Sequence, residues 1–332
     1  MKVTIREVAK ASGKSISTVS RVLTGSDRVS DETRQAVKKA IEELGYRPNQ
    51  TARGLKTTST KTVGLLLNDI TNPFYSSIAK GAEAVAKERG YTMMFSNVNE
   101  DADIELNNLK MLHDRNVDGI IFGPTGGNLD FITYLNRIIP IVQIDRKLED
   151  LDAPAVIVDN EKAAYLATRT LLDLGHKNIG IIQWKAGVHT PKDRMKGYLR
   201  ALKEAGIQPD PENMVKAREF SPRKTSDLAR RLIEKEDRPS AIFALNNQLG
   251  IGAFRALREA GLKIPDDVAL VVFDDLETFA LTTPTISAVS QPAFSIGKKA
   301  MKLLLGRIED GQDDEVSETV VLPTRFIQRQ SI

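Results

Sequence analysis

Cysteine is absent from the 332-residue chain, which excludes disulfides, thiol catalysis and cysteine-ligated zinc or iron clusters. Histidine is almost absent, and His113, His176 and His189 are too scattered to suggest a metal motif. No apolar run approaches the roughly eighteen residues of a membrane span. The first residues also lack the charged-then-apolar order of a secretion signal. The expectation is a cytoplasmic protein with no membrane partner and no cofactor. What is present is ordinary for a globular chain, at 41% hydrophobic and 27% charged residues, with length enough for two or three domains.

Charge is distributed unevenly. Residues 1–60 hold twelve cations and six anions, a balance of +6, so the remainder carries −3 to reach the total of +3. A basic head on a mildly acidic body is the electrostatic footprint of a phosphate-binding module.

The head reads as three short helices. In TIREVAKASGKS, Thr4 and Glu7 have the spacing of a capping box, Ile5, Val8 and Ala9 form an apolar stripe, and Gly13 stops the helix. Ser15 can cap a second helix, SISTVSRVL, which turns Val19, Val22 and Leu23 to one side and Ser17, Ser20 and Arg21 to the other, with Ile16 at the border. Hydroxyls and a guanidinium suit phosphates and base edges, although a solvated helix face accounts for this stretch alone equally well. Ser30, Asp31 and Glu32 open a third helix that closes at Gly45. Helix, glycine turn, helix is the helix-turn-helix plan, whose second helix enters the major groove.

The polar stretch PNQTARGLKTTSTK follows. Asn49 can cap a helix through Leu55, but about seven residues, one of them Gly54, are marginal as an isolated helix in water. Beyond Thr62 the apolar runs at 63–67, 91–95, 119–122 and 141–144 alternate with amphipathic helices. A second series follows at 178–183, 240–245 and 268–273. Two strand-and-helix series predict two parallel sheets covered on both faces, with ligands at the carboxyl ends of the strands and a cleft between the halves.

Read together, TIREVAKASGKSISTVSRVL, ELGYRPNQTARGLKT, NDITNPFY, IDR, VDNEKAA, DRMKGYLRAL, IFALNN, FDD and SQPAFSIGKKA resemble the lactose-repressor family of bacterial transcription regulators along essentially the whole chain. The body is also similar to periplasmic sugar-binding proteins of the ribose type. The resemblance implies an α/β chain with a helix-turn-helix domain at 1–48, a hinge helix and linker at 49–61 and a two-lobed effector and dimerisation domain at 62–332. One lobe would span about 62–160 plus about 291–320, and the other about 161–290 plus the C-terminal tail.

Roles carry over residue by residue. Ile16, Ser17 and Arg21 match positions that meet base edges; Thr4, Thr18, Ser20 and Thr24 match or adjoin phosphate-contacting positions. Residues 49–56 match the hinge helix, where Asn49, Ala52 and Leu55 meet DNA and Leu55 wedges into the minor groove. Asn72, Phe74, Tyr75, Asp145, Arg146, Trp184, Arg194, Phe220, Asn246, Asp274 and Gln291 match or lie beside effector-binding positions. Charged planar groups and rings are what a sugar's hydroxyls and apolar faces require.

Asp145 with Arg146 could equally be a surface ion pair, and Phe74 ordinary core, if either stood alone. Two departures from the family pattern stand out. Asn247 occupies a position commonly held by aspartate, and Trp184 and His189 lie where small residues are usual; Trp184 suits either stacking on a sugar or covering a strand end.

The implied protein is a homodimeric repressor of carbohydrate-utilisation genes, bound to a pseudopalindromic double-stranded operator and released by a small, ribose-like sugar. A purine-responsive or phosphoprotein-assisted regulator on the same scaffold is the alternative, for which Lys298, Lys299 and Lys302 supply a basic helix face that solvation explains as well. A sugar-transport protein does not account for the basic head. No catalytic constellation emerges: GPTGGN (123–128) is glycine-rich after a strand but is neither a dinucleotide fingerprint nor a phosphate-loop lysine motif.

Overall fold

The computed structural model describes residues 3–23, 28–46, 59–184, 189–217, 222–309 and 318–332. The chain divides into two compact units, Met1–Thr60 and Lys61–Ile332.

The first unit contains the helices α1 (Ile5–Ser12), α2 (Ile16–Leu23) and α3 (Asp31–Leu44). Their ends follow the sequence signals. The Glu7 carboxylate accepts from the Thr4 backbone N–H at 2.7 Å and from its hydroxyl at 2.9 Å. Ser15 Oγ accepts from Thr18 N, and Ser30 Oγ from Thr33 N. Gly13 and Gly45 end α1 and α3 at φ 65 and 60, the left-handed conformation that suits glycine best. Val8, Ala9, Val19, Val22, Val37 and Ala40 make a small common core.

The second unit has two six-stranded sheets. Sheet one contains β1 (Thr62–Leu67), β2 (Thr92–Asn97), β3 (Gly119–Phe122), β4 (Ile141–Ile144), β5 (Ala155–Val158) and β11 (Thr319–Leu322) in the order β11-β5-β4-β3-β1-β2, all parallel. Sheet two contains β6 (Ile179–Trp184), β7 (Met214–Ala217), β8 (Ala241–Ala244), β9 (Ala269–Phe273), β10 (Ser287–Ser290) and β12 (Arg325–Ile327) in the order β12-β10-β9-β8-β6-β7. Only β12 runs antiparallel to its neighbour. The chain therefore passes between lobes three times, after β5, after β10 and after β11.

Helices α4 (Pro73–Glu88) and α11 (Ala293–Glu309) cover one face of the first sheet, and α5 (Ala102–Asp114) and α6 (Leu129–Asn136) the other. In the second lobe α7 (Asn160–Asp173) and α8 (His189–Glu204) lie on one face, and α9 (Pro222–Ile233) and α10 (Asn247–Glu259) on the other. Cover on both faces is why the strands read as continuous apolar runs: Val63, Leu65, Leu66, Ile120, Ile121, Val142 and Ile144 are fully buried. Each such side chain contributes roughly 1.5–3 kcal/mol relative to an exposed one. Helices α4 and α11 approach so closely that a Cβ on Gly297 would lie 1.9 Å from the Ile78 carbonyl oxygen, and one on Gly81 2.0 Å from that of Phe294.

Candidate functional site

On the head, α2 turns Val19 and Val22 inward and leaves Ile16, Ser17 and Arg21 exposed, with Thr18 and Ser20 half-buried. Ile16 is 46% exposed, a large apolar group at the front of a polar face. The hydroxyls of Ser17 and Thr18 each lie 2.8 Å from Ser15 Oγ, so the start of the helix carries a linked hydroxyl cluster. Thr4 is exposed just ahead of α1. Thr24, Asn49, Ala52 and Leu55 fall outside the described residues.

In the body, a cleft of about 850 Å³ lies between the lobes at the carboxyl ends of the strands. Asn72, Phe74, Tyr75, Asp145, Arg146, Trp184, Arg194, Asn246 and Asp274 all line it. Phe220 lies outside the described residues. Gln291 is not among the lining residues; it is half-buried, and its amide nitrogen donates to the Asp274 carboxylate.

On the first lobe, Asp145 follows β4 in left-handed backbone, φ 64, and accepts from the buried Tyr75 hydroxyl at 3.1 Å. Tyr75 thus positions the carboxylate more than it faces the cleft. Burial pushes the Asp145 carboxyl above its ordinary range, outweighing the guanidiniums of Arg146 and Arg194. Burial also raises the Tyr75 hydroxyl, with the Asp145 charge adding to it. Asn72 caps α4 by accepting from Phe74 N, and the Phe74 ring meets Tyr75 edge-on with centroids 5.1 Å apart. Arg146 forms a two-pronged ion pair with Glu100, both contacts at 2.6 Å. Burial alone lowers the pKa of this guanidinium, but Tyr75, Glu100 and Asp145 outweigh it and hold the charge in place. Turning the Asn68 amide satisfies both its ends, placing its oxygen 2.9 Å from Arg146 Nη1 and its nitrogen 2.8 Å from the Gly123 carbonyl, so that it bridges the same group to the chain.

The second lobe mirrors this arrangement. Asp274 follows β9, again left-handed at φ 72. Arg194, on α8, donates to Asn160 Oδ1 at 2.8 Å, to the Leu245 carbonyl at 2.6 Å and to Asp274 Oδ2 at 3.3 Å, while its guanidinium covers the Phe273 ring at 3.6 Å. Asn246 caps α10 by accepting from Leu249 N at 2.7 Å. Trp184 packs on the second lobe's core and also reaches the cleft.

Glu100, Gln248 and Glu105 escaped the sequence reading, and Asn247 was singled out there without its partner. Glu100 reaches Arg146 across 46 positions, with no local pattern to announce it. Asn247 is buried and exchanges amide hydrogen bonds with Asn72 at 2.8 and 3.3 Å, and Gln248 donates to Asp69 at 2.9 Å, so both pairs tie the lobes together. The family departure at Asn247 was legible; its partner was not. The glycine-rich 123–128 loop is held by Glu105, whose carboxylate accepts from Thr125 N at 2.8 Å and from its hydroxyl at 3.0 Å. Burial raises that carboxyl. Among the described residues no three His, Asp or Glu side chains gather as a metal site, and no helix is long and apolar enough to cross a membrane.

A basic three-helix head with a polar second helix, joined to a two-lobed body whose cleft is lined by paired charges, is the build of a ligand-responsive DNA-binding regulator. Family models agree along the chain: residues 4–49 match bacterial regulatory proteins of the lacI family, and residues 60–330 match periplasmic binding proteins and the sugar binding domain of the LacI family. The protein belongs to the LacI family of transcriptional regulators. Its relatives include catabolite control protein A of Priestia megaterium, 34% identical over 100% of this chain and 99% of that one. The PurR repressor of Vibrio atlanticus (strain LGP32) is 34% identical, covering 99% and 98%. The ribose operon repressor of Haemophilus influenzae (strain ATCC 51907 / DSM 11121 / KW20 / Rd) is 32% identical, also covering 99% and 98%. These are regulators and repressors, not enzymes. The fold is that of the lac repressor dimer bound to operator, TM-score 0.86 at 23% identity over 100% of this chain and 99% of that one.

Proposed function

We propose that the protein is a homodimeric repressor that binds a pseudopalindromic operator upstream of carbohydrate-utilisation genes and is released by a small, ribose-like sugar. The observation that carries this reading is the cleft wall: Asp145 and Arg146 from one lobe face Arg194 and Asp274 from the other, all buried, beside the rings of Phe74 and Trp184. Carboxylates accept from sugar hydroxyls, guanidiniums donate to their oxygens, and rings cover the apolar face of a pyranose or furanose. The Haemophilus relative's name, ribose operon repressor, supports the same class of ligand.

On the head, Arg21 with Ile16 and Ser17 reads base edges in the major groove, and Thr4, Thr18, Ser20 and Thr24 hold phosphates. Asn49, Ala52 and Leu55 act in the minor groove. The lobes already touch through the Asn72–Asn247 and Asp69–Gln248 pairs. A sugar gripping both walls changes their closure, and the dimer transmits that change to the spacing of its two 49–56 segments. Release follows because the sugar binds the DNA-free form more tightly.

The test is fluorescence anisotropy on a panel of pseudopalindromic duplexes at fixed salt, followed by titration of ribose, other pentoses, hexoses and inositol into the tightest complex. The expected result is tight binding whose logarithm falls with log salt by about 0.9 per phosphate contacted, and release by one sugar. A change of operator affinity in either direction on adding purine bases, with no sugar active, would transfer the cleft to a purine, the class that the PurR name supports.

A further inference from the structure

Arg146 is the most evident anion-binding group on the first lobe's wall, yet its guanidinium is already engaged. Glu100 takes NH1 and NH2 in a fork at 2.6 Å each. With the Asn68 amide turned so that both its ends are satisfied, its oxygen lies 2.9 Å from Nη1, and Nε, which makes no hydrogen bond, lies 3.5 Å from the Asp145 carboxylate. Glu100 reaches this place from a sharp turn after β2, in which Asn99 and Glu100 are both left-handed at φ 56 and 58. Such backbone is uncommon for non-glycine residues and is found where surrounding contacts hold it. Opposite, Arg194 is spent on Asn160, the Leu245 carbonyl and Asp274. Among the described residues lining the cleft, four carboxylates (Asp69, Glu100, Asp145 and Asp274) meet two guanidiniums, a formal balance of −2.

We propose that Glu100 sets the charge selectivity of the cleft: by neutralising Arg146 it reserves the site for uncharged polyols and excludes phosphorylated and acid sugars. This rests on the sugar reading above but makes a separate claim. A neutral sugar finds carboxylates to accept from its hydroxyls. Among the described lining residues, a phosphate finds like charge at short range and no guanidinium without a carboxylate partner, in surroundings where screening is weak. Removing the Glu100 charge reverses this, because it leaves a buried guanidinium short of an anion.

The experiment uses the full chain, wild type and Glu100→Gln, with thermal-shift and calorimetric titrations of inorganic phosphate, ribose and ribose 5-phosphate. Glutamine keeps the shape and one acceptor while removing the charge. The expected result is no response of the wild type to phosphate or ribose 5-phosphate at millimolar concentration. The variant should gain affinity for both by on the order of tenfold or more, and lose the gain when Arg146→Met is added. Binding of phosphate or ribose 5-phosphate by the wild type overturns the proposal while leaving the sugar reading intact. A folded variant that gains no anion affinity also overturns it. If no neutral sugar binds the wild type yet Glu100→Gln acquires phosphate, the charge screen stands and the sugar reading falls. Should the glutamine variant fail to fold, Glu100→Asn, which also removes the charge and suits the left-handed backbone there, takes its place, with the wild-type arm as a second, independent test.

Discussion

Arg21 and Arg146 are one residue type in two surroundings. Arg21 lies exposed on α2, on a helix held by a small core, while Arg146 is 8% exposed at the end of β4, forked by Glu100 and bridged by Asn68. The first lies on the face of α2 opposite Val19 and Val22, the side that meets the core. The second, like Arg194, is knitted into the wall that it lines. The exposed face of α2 is therefore less coupled to a core than the cleft wall, whose buried polar groups carry recognition and folding together.

The strongest attack on that contrast is Arg194→Ala. It leaves Asn160 Oδ1 without its donor and the buried Asp274 carboxylate without its counter-charge, held by Gln291 alone, so loss of ligand response should come with roughly 3–5 kcal/mol of lost stability, read by urea unfolding of the full chain. An unchanged midpoint would mean that the cleft charges are dispensable to the fold. Gly297→Ala sharpens the comparison from a site with no polar role. Its Cβ meets the Ile78 carbonyl oxygen, and separating α4 from α11 should cost about 1–3 kcal/mol without altering the cleft's choice of ligand. Arg21→Ala is the counterpart in the head: operator affinity should fall by about 1–3 kcal/mol, while unfolding moves by less than about 0.5 kcal/mol. Comparable losses of stability and affinity would break the distinction.

Acid provides a gentler probe. Burial raises the Asp145 carboxyl in the folded state, so its ionised form is the one the fold disfavours. Protonation relieves that cost as pH falls through the raised value toward the unfolded one, yet removes the acceptor a sugar needs. Sugar affinity should therefore decline on acidification earlier than an ordinary aspartate would dictate, and Asp145→Asn should flatten that part of the profile. Glu7 shows the opposite sign and the smallest effect. The Thr4 backbone N–H and hydroxyl lower its carboxyl, so it contributes above its unfolded value and the contribution is lost as pH falls through the folded one. Glu7→Gln should produce a slight drop in the head's thermal midpoint that fades in acid.

Legibility follows the same divide. Helix ends in the head are set by contacts three or four positions apart, so Ser15, Ser30, Gly13 and Gly45 announce them directly. The strands sandwiched between helix layers, such as β3, β4 and β9, are visible as apolar runs because both faces are buried. By contrast β7 has only one buried residue of its four, and β12 has none. Neither produces an apolar run. The cleft aspartates are visible because each ends a strand. Glu100 and the Asn72–Asn247 pair are invisible because they exist only once distant turns have been brought together, across 46 and 175 positions.

The three passages between lobes also govern the order in which the molecule can be made. The first sheet lacks β11 until residue 322 has been added, and the second lacks β12 until residue 327. Both sheets are therefore completed only by strands distant in sequence from the rest of their lobes, whereas the three-helix head has all its helices once residue 44 has emerged. During synthesis the nascent chain is a folded DNA-seeking head trailed by an unfinished sensor. Its capacity to respond is thus acquired long after its head.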